Sequence, residues 1–205
     1  MKINSSSTSS IGWVAVGTGI VVILAVIFLI LMFTVSLSFG AFNDVLNGIA
    51  GIFSAVLAWI FYAEHRAEAP WMSQIALALA ILGAIFSIIG SALILYGFTD
   101  FFLAGLYSGL GNALIGVWLV IFCYSIQQSD ALPHRLIVFG YFVGAFMALG
   151  LIGIPGILAG IDSMESMPGY LYIASLGWLG TYLLYPIWII WLGRNLLNVK
   201  QALRP

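Results

Sequence analysis

The chain alternates long apolar runs with short polar joints. Six runs stand out, at about 11–35, 43–63, 71–97, 101–126, 134–160 and 170–193. Each approaches or exceeds the ~20 apolar residues that an α-helix needs to cross a bilayer. The joints are Ser38-Phe39-Gly40-Ala41-Phe42, Glu64 to Pro70, Phe98-Thr99-Asp100, Gln127 to Pro133 and Asp162 to Gly169. None is long enough to fold as a soluble domain. Barrel strands would show ~9–11-residue segments of alternating polarity, and the runs do not alternate. The pattern predicts an all-α, polytopic membrane helical bundle of about six transmembrane helices in a single domain, 1–205. The first run, at 23 residues from Ile11 to Phe33, exceeds the roughly 7–15 of a signal-peptide core and reads as a spanning helix.

Charge orients this bundle. With six crossings, both termini and the second and fourth joints share one side. That side holds Lys2, Arg66, Arg135, Arg194, Lys200 and Arg204, every basic residue of the chain. The other side holds Asp44, Asp100, Asp162 and Glu165. Short cytoplasmic segments retain Lys and Arg, so the reading is N-in/C-in in the cell (inner) membrane. Trp13, Trp59, Tyr62, Trp71, Tyr124, Trp188 and Trp191 fall at the cytoplasmic interface, and Tyr96, Phe98, Tyr170 and Tyr172 at the outer one. Aromatic rings favour both levels. Asn43-Asp44 and Thr99-Asp100 precede the second and fourth runs and read as helix N-caps. Gly40 to Leu46 resembles Gly97 to Leu103, which suggests a faint parallel repeat of helical hairpins.

Composition narrows function mostly by exclusion. Only 6% of residues are charged and 63% are hydrophobic, against about 25% charged in soluble domains. Lipid is therefore the expected surroundings, and a net charge of −1 implies no nucleic-acid partner. Cys123 stands alone, so no internal disulfide or cysteine metal site is available, and it reads as a packing residue. The middles of the six runs carry no Asp, Glu, Lys, Arg or His. Proton relays, retinal attachment, haem ligation and intramembrane proteolysis all depend on such groups. The chain reads as no enzyme. Glu64, His65, Glu68, Asp130 and His134 gather on one side and have metal-ligand chemistry, but a solvated loop explains them, and no metal is expected. Asp162 and Glu165 offer at best a weak Ca²⁺ site.

Several residues are candidates for ligand binding. Asn112 falls near mid-membrane, where its amide needs an interhelical hydrogen bond or a neutral ligand. Ser87, Ser91, Ser108 and Thr181 can bond back to their own helices. Pro155, within Gly153-Ile154-Pro155-Gly156, and Pro186 each interrupt a helix. Trp178, Tyr182 and Tyr185 form an aromatic row suited to neighbouring helices or to a lipophilic pigment or quinone. Gly140, Gly144 and Ala148, then Gly105 and Gly109, then Ala76, Ala80 and Ala84 form small-residue faces for close helix packing. Gly111 to Gly144, a Leu-Pro loop and a glycine-rich helix, resembles many bacterial multipass proteins and implies no activity.

The leading expectation is a non-catalytic integral membrane protein, a subunit or accessory protein packed against other membrane protein subunits in a larger membrane complex. The alternative is a small transporter or binder of a neutral or lipophilic molecule, using Asn112, Pro155, Trp178 and Tyr182. No cofactor is specified.

Overall fold

The computed structural model of the chain describes residues 5–66, 70–127 and 132–202. Lys2, Glu68, Asp130 and Arg204, with the side chains of His65 and Lys200, lie outside the described residues. The described chain is all-helical. Six helices are long and apolar enough to cross a membrane: Ser9–Thr34, Leu37–Glu64, Pro70–Leu95, Phe101–Ile126, His134–Leu158 and Gly169–Asn198. All bounds fall within six residues of those the apolar runs predict.

The elements are α1 (Ser5–Thr34), α2 (Gly40–His65), α3 (Pro70–Leu95) and α4 (Phe101–Ile126). The fifth span is composite: α5 (His134–Ala148), a 3₁₀ stretch (Leu149–Gly153) and α6 (Ile154–Leu158). The sixth joins α7 (Gly169–Leu179) to α8 (Tyr185–Ala202) through a π-helical turn, Gly180–Leu184. Short joints make successive helices antiparallel neighbours. Close packing runs α1–α2–α3–α4–α5, and α8 returns to lie along α1 and close the ring. The first and last helices meet there, since a Cβ on Gly12 would stand 2.8 Å from Leu197 Cγ and 3.1 Å from the Gly193 carbonyl. α4 is the most enclosed span. Large apolar residues such as Ile20, Ile52, Ile75 and Ile85 stay exposed around the rim, where lipid solvates them.

Two joints turn on glycine. Gly97 and Gly160 have φ of +69° and +64°, the left-handed conformation that side chains resist. Each ends a helix in a Schellman motif: Gly97 N–H donates to Ile94 O and Phe98 N–H to Leu93 O, while Gly160 and Ile161 repeat the pattern on Ile157 O and Gly156 O. Gly40, the expected counterpart of Gly97, is right-handed with φ −58° and begins α2. The two segments therefore differ in backbone, and the proposed repeat has no structural counterpart there.

Small residues set the crossings. At α4–α5, a Cβ on Gly144 would stand 2.6 Å from Gly116 O, and at α3–α4 one on Gly83 would stand 2.6 Å from Gly111 O. Gly140 accommodates Cys123 and the Trp188 indole. Gly105 and Gly109 differ: their faces meet Trp178 at ordinary contact distances of 3.6 and 3.5 Å. They make room for an indole rather than for a backbone.

Three sequence expectations need correction. Asn43 and Asp44 are not N-caps. α2 begins at Gly40, so both lie inside the helix and are buried. Asp100 stands at the N-cap of α4 without a side-chain cap bond; Asp162 caps instead, its two carboxylate oxygens accepting from Asp100 N–H at 2.8 Å and Leu103 N–H at 3.0 Å. Trp188 does not belong to an interfacial belt. It is 0% exposed, donates to Leu136 O at 3.0 Å, and meets Phe122 edge-on at 6.2 Å in the core. Trp13, Trp59, Trp71 and Tyr124 are exposed, as interfacial rings should be.

Candidate functional site

α2 carries Asn43, Asp44 and Asn47 within its first two turns. Residues four apart lie one above the other on a helix face, so Asn43 and Asn47 stack, and Asn47 Nδ2 donates to Asn43 Oδ1 at 3.1 Å. Asn43 Nδ2 donates across to Ala25 O of α1 at 2.9 Å. The second hydrogen of Asn47 Nδ2 goes to the Tyr182 hydroxyl at 2.8 Å. α3 joins through Ser91, whose hydroxyl donates to the Asp44 backbone carbonyl and lies 2.9 Å from Ser87 O, its own helix's carbonyl. This polar knot ties α1, α2, α3 and the sixth span together within the bundle.

Tyr182 reaches the knot because of Pro186. A proline in a helix lacks the N–H that would bond the carbonyl four residues back, and its ring crowds that carbonyl, here Tyr182 O. The helix widens, and Tyr185 N–H bonds to Gly180 O, five residues back. Such single-turn π segments occur often at functional sites. The extra residue also splits the predicted aromatic row. Trp178 and Tyr182 turn toward the knot, while the Tyr185 hydroxyl sits 2.9 Å from Ser54 Oγ, in the core.

Asn43, Asp44 and Asn47 line a cavity of about 20 Å³ with Ser108 and Asn112 of α4, Trp178 and Tyr182. A water-sized group needs roughly 10–15 Å³ by the same measure, so one such group fits. Asp44 is 4% exposed, and its Oδ2 has no hydrogen-bond partner; the same holds for Ser108 Oγ and Ser87 Oγ. Asn112 makes no side-chain hydrogen bond among the described residues, so the expected interhelical bond is not formed and its amide is left for the cavity. The expected back-bonding of serines holds for Ser91 but not for Ser87 or Ser108.

Against this cavity lies an apolar groove of about 740 Å³. α1 follows α8 closely but parts from α7, and the gap is walled by Val26 and Leu29 of α1, Phe102 and Leu106 of α4, and Leu171, Ala174, Leu179 and Leu183 of the sixth span. Met164 and Met167 of the preceding joint also line it. Leu29, Gly109, Trp178 and Tyr182 line both spaces. Ligand pockets run to about 300–1,000 Å³ and combine apolar walls with a few polar groups.

The predicted ligand residues thus divide. Asn112, Trp178 and Tyr182 converge. Pro155 does not: it is exposed on the short α6, where it starts a helical turn without strain, and the fifth span's irregularity lies in the 3₁₀ stretch before it. Asn43, Asp44 and Asn47 converge as well, although the first two read as caps in the sequence. No three His, Cys, Asp or Glu gather among the described residues, and both oxygens of Asp162 are committed to the α4 cap. Comparisons with protein-family models, curated proteins and solved structures find no match to this chain.

Proposed function

We propose that this membrane protein binds a lipophilic molecule with one polar end, the apolar body lying in the groove between α1, α4 and α7 and the polar end in the Asn112–Asp44–Tyr182 cavity. One observation carries the reading: an apolar space of ligand size shares four wall residues with a cavity lined by Asn112, which makes no side-chain hydrogen bond, and by Asp44, which keeps an unpartnered carboxyl oxygen. Unsatisfied polar groups in hydrocarbon cost several kcal/mol by order of magnitude, and a ligand's head supplies what the helices do not. The expectation of a complex subunit rests on the absence of ionisable chemistry and of a soluble domain and, in part, on small-residue faces. Gly140 and Gly144 are engaged by neighbours within the chain, and Gly105 and Gly109 face Trp178. In this reading the chain sits in the cell membrane with both termini cytoplasmic, and the groove opens in the outer half.

Photo-crosslinking tests it. A long-chain alcohol bearing a diazirine, added to the protein in nanodiscs, should label residues 164–183 saturably. Ser175→Trp, placed on the groove wall, should remove that labelling while the bundle still melts as before. Labelling spread evenly over the lipid-facing residues, and unchanged by Ser175→Trp, would refute the reading.

A further inference from the structure

The polar end of the ligand can be specified further, an inference that rests on the groove reading above. Asp44 is 4% exposed, one of its carboxyl oxygens has no partner, and the residue lines a cavity sized for one small group. Charged groups within membranes face partners of opposite sign or ligands. Among the described residues no Lys or Arg is near. Arg66, at the far end of α2, is 22 residues on, about 33 Å at 1.5 Å per residue. Arg135 and Arg194 sit toward that same far end, at the start of α5 and near the end of α8. The remaining wall groups are neutral: two asparagine amides already bonded to each other, an unbonded asparagine, a serine hydroxyl and a tyrosine.

We infer that the cavity is a recognition site for a primary ammonium group, so that the groove's ligand is a long-chain lipophilic amine. An ammonium offers three donors and no acceptor. Asp44 supplies a buried carboxyl with an unpartnered oxygen, and Asn112, in the same wall, adds a carbonyl oxygen. Charge-assisted hydrogen bonds of this kind are about twice as strong as neutral ones, and little water competes here. Trp178, in the wall shared with the groove, places an aromatic ring beside the cation's path. Size provides selectivity. About 20 Å³ holds an ammonium but not the same nitrogen carrying three methyl groups.

The test uses the full chain in nanodiscs of zwitterionic lipid, with displacement of the diazirine alcohol as readout. Dodecylamine, dodecanol and dodecyltrimethylammonium are compared. Dodecylamine should compete at least about tenfold better than either of the others. Asp44→Asn should bring dodecylamine down to the level of dodecanol and leave dodecanol unchanged. Asn112→Ala, a second variant should Asp44→Asn not fold, should weaken dodecylamine about tenfold with dodecanol again unchanged. Equal competition by amine and alcohol overturns the inference and leaves the groove reading standing; so does an amine preference that survives Asp44→Asn. Equal competition by the trimethylated amine overturns it too. If no compound competes saturably, the groove reading falls with it.

Discussion

Gly116 and Gly105 lie on the same helix and look alike in sequence, yet alanine should act on them in opposite directions. At Gly116 a new Cβ would stand 2.5 Å from Met147 Cβ and 2.8 Å from Gly144 O; ordinary contact begins at 3.4 Å. α4 and α5 would have to separate by 0.6–0.9 Å. Overpacking of this kind costs about 1–3 kcal/mol, because close-packed interiors yield little. The backbone cannot swing aside as a flexible side chain would. At Gly105 the nearest atom is Trp178 Cζ2 at 3.6 Å, so the methyl fits. Both substitutions gain the same helix propensity, about 1 kcal/mol. Their difference is therefore about 1–3 kcal/mol, or about 5- to 150-fold in the unfolding equilibrium. Gly105→Ala should be neutral or slightly stabilising. SDS-induced unfolding in mixed micelles, followed by far-ultraviolet circular dichroism, measures both. Equal destabilisation by the two variants would refute the assignment of the α4–α5 crossing.

Four further expectations follow from the structure. Trp188→Phe removes the bond to Leu136 O and should cost at least about 1 kcal/mol in the same unfolding assay. Asp162→Ala strips both cap bonds from α4 and should cost about 1 kcal/mol, with faster amide exchange at Leu103. Tyr182→Phe deprives Asn47 of its acceptor and should cost about 0.6–1.7 kcal/mol, while weakening the competition of long-chain ligands. Because Cys123 is buried, single-cysteine labelling has little background: Arg66→Cys should react with membrane-impermeant maleimide only after the cells are opened, and Ser163→Cys in intact cells; the reverse pattern would invert the proposed orientation.

The number, length and order of the helices were legible because the bilayer imposes a single rule. Backbone amides with no water must bond within their own helix, and a crossing requires a minimum apolar length. Helix contacts were half legible. Gly140 and Gly144 marked a real crossing, but Gly83, Gly111 and Gly116 mark crossings as tight. Spacing along one helix does not reveal which face meets backbone and which meets an indole.

The site was illegible for a reason of register. Gly40 resembles a turn residue, and starting the helix after it placed Asn43 and Asp44 at the rim as ordinary caps. In the structure Phe39 and Phe42 stack on Phe28 at 6.1 and 5.1 Å, and a 3₁₀ turn at Leu37–Phe39 runs directly into α2. That moves the helix start three residues earlier and carries a carboxyl group about 4–5 Å deeper at 1.5 Å per residue. One signal was available. Caps need a single polar residue before the helix, whereas Asn43 and Asn47, four apart with Asp44 beside the first, follow the period of a helix face. The same few ångströms decide the chemistry. At the rim Asp44 would be hydrated and need no partner; one turn deeper, between α2 and α4, it keeps its charge only with a cation beside it and otherwise binds a proton, and the neutral walls of its cavity supply no cation.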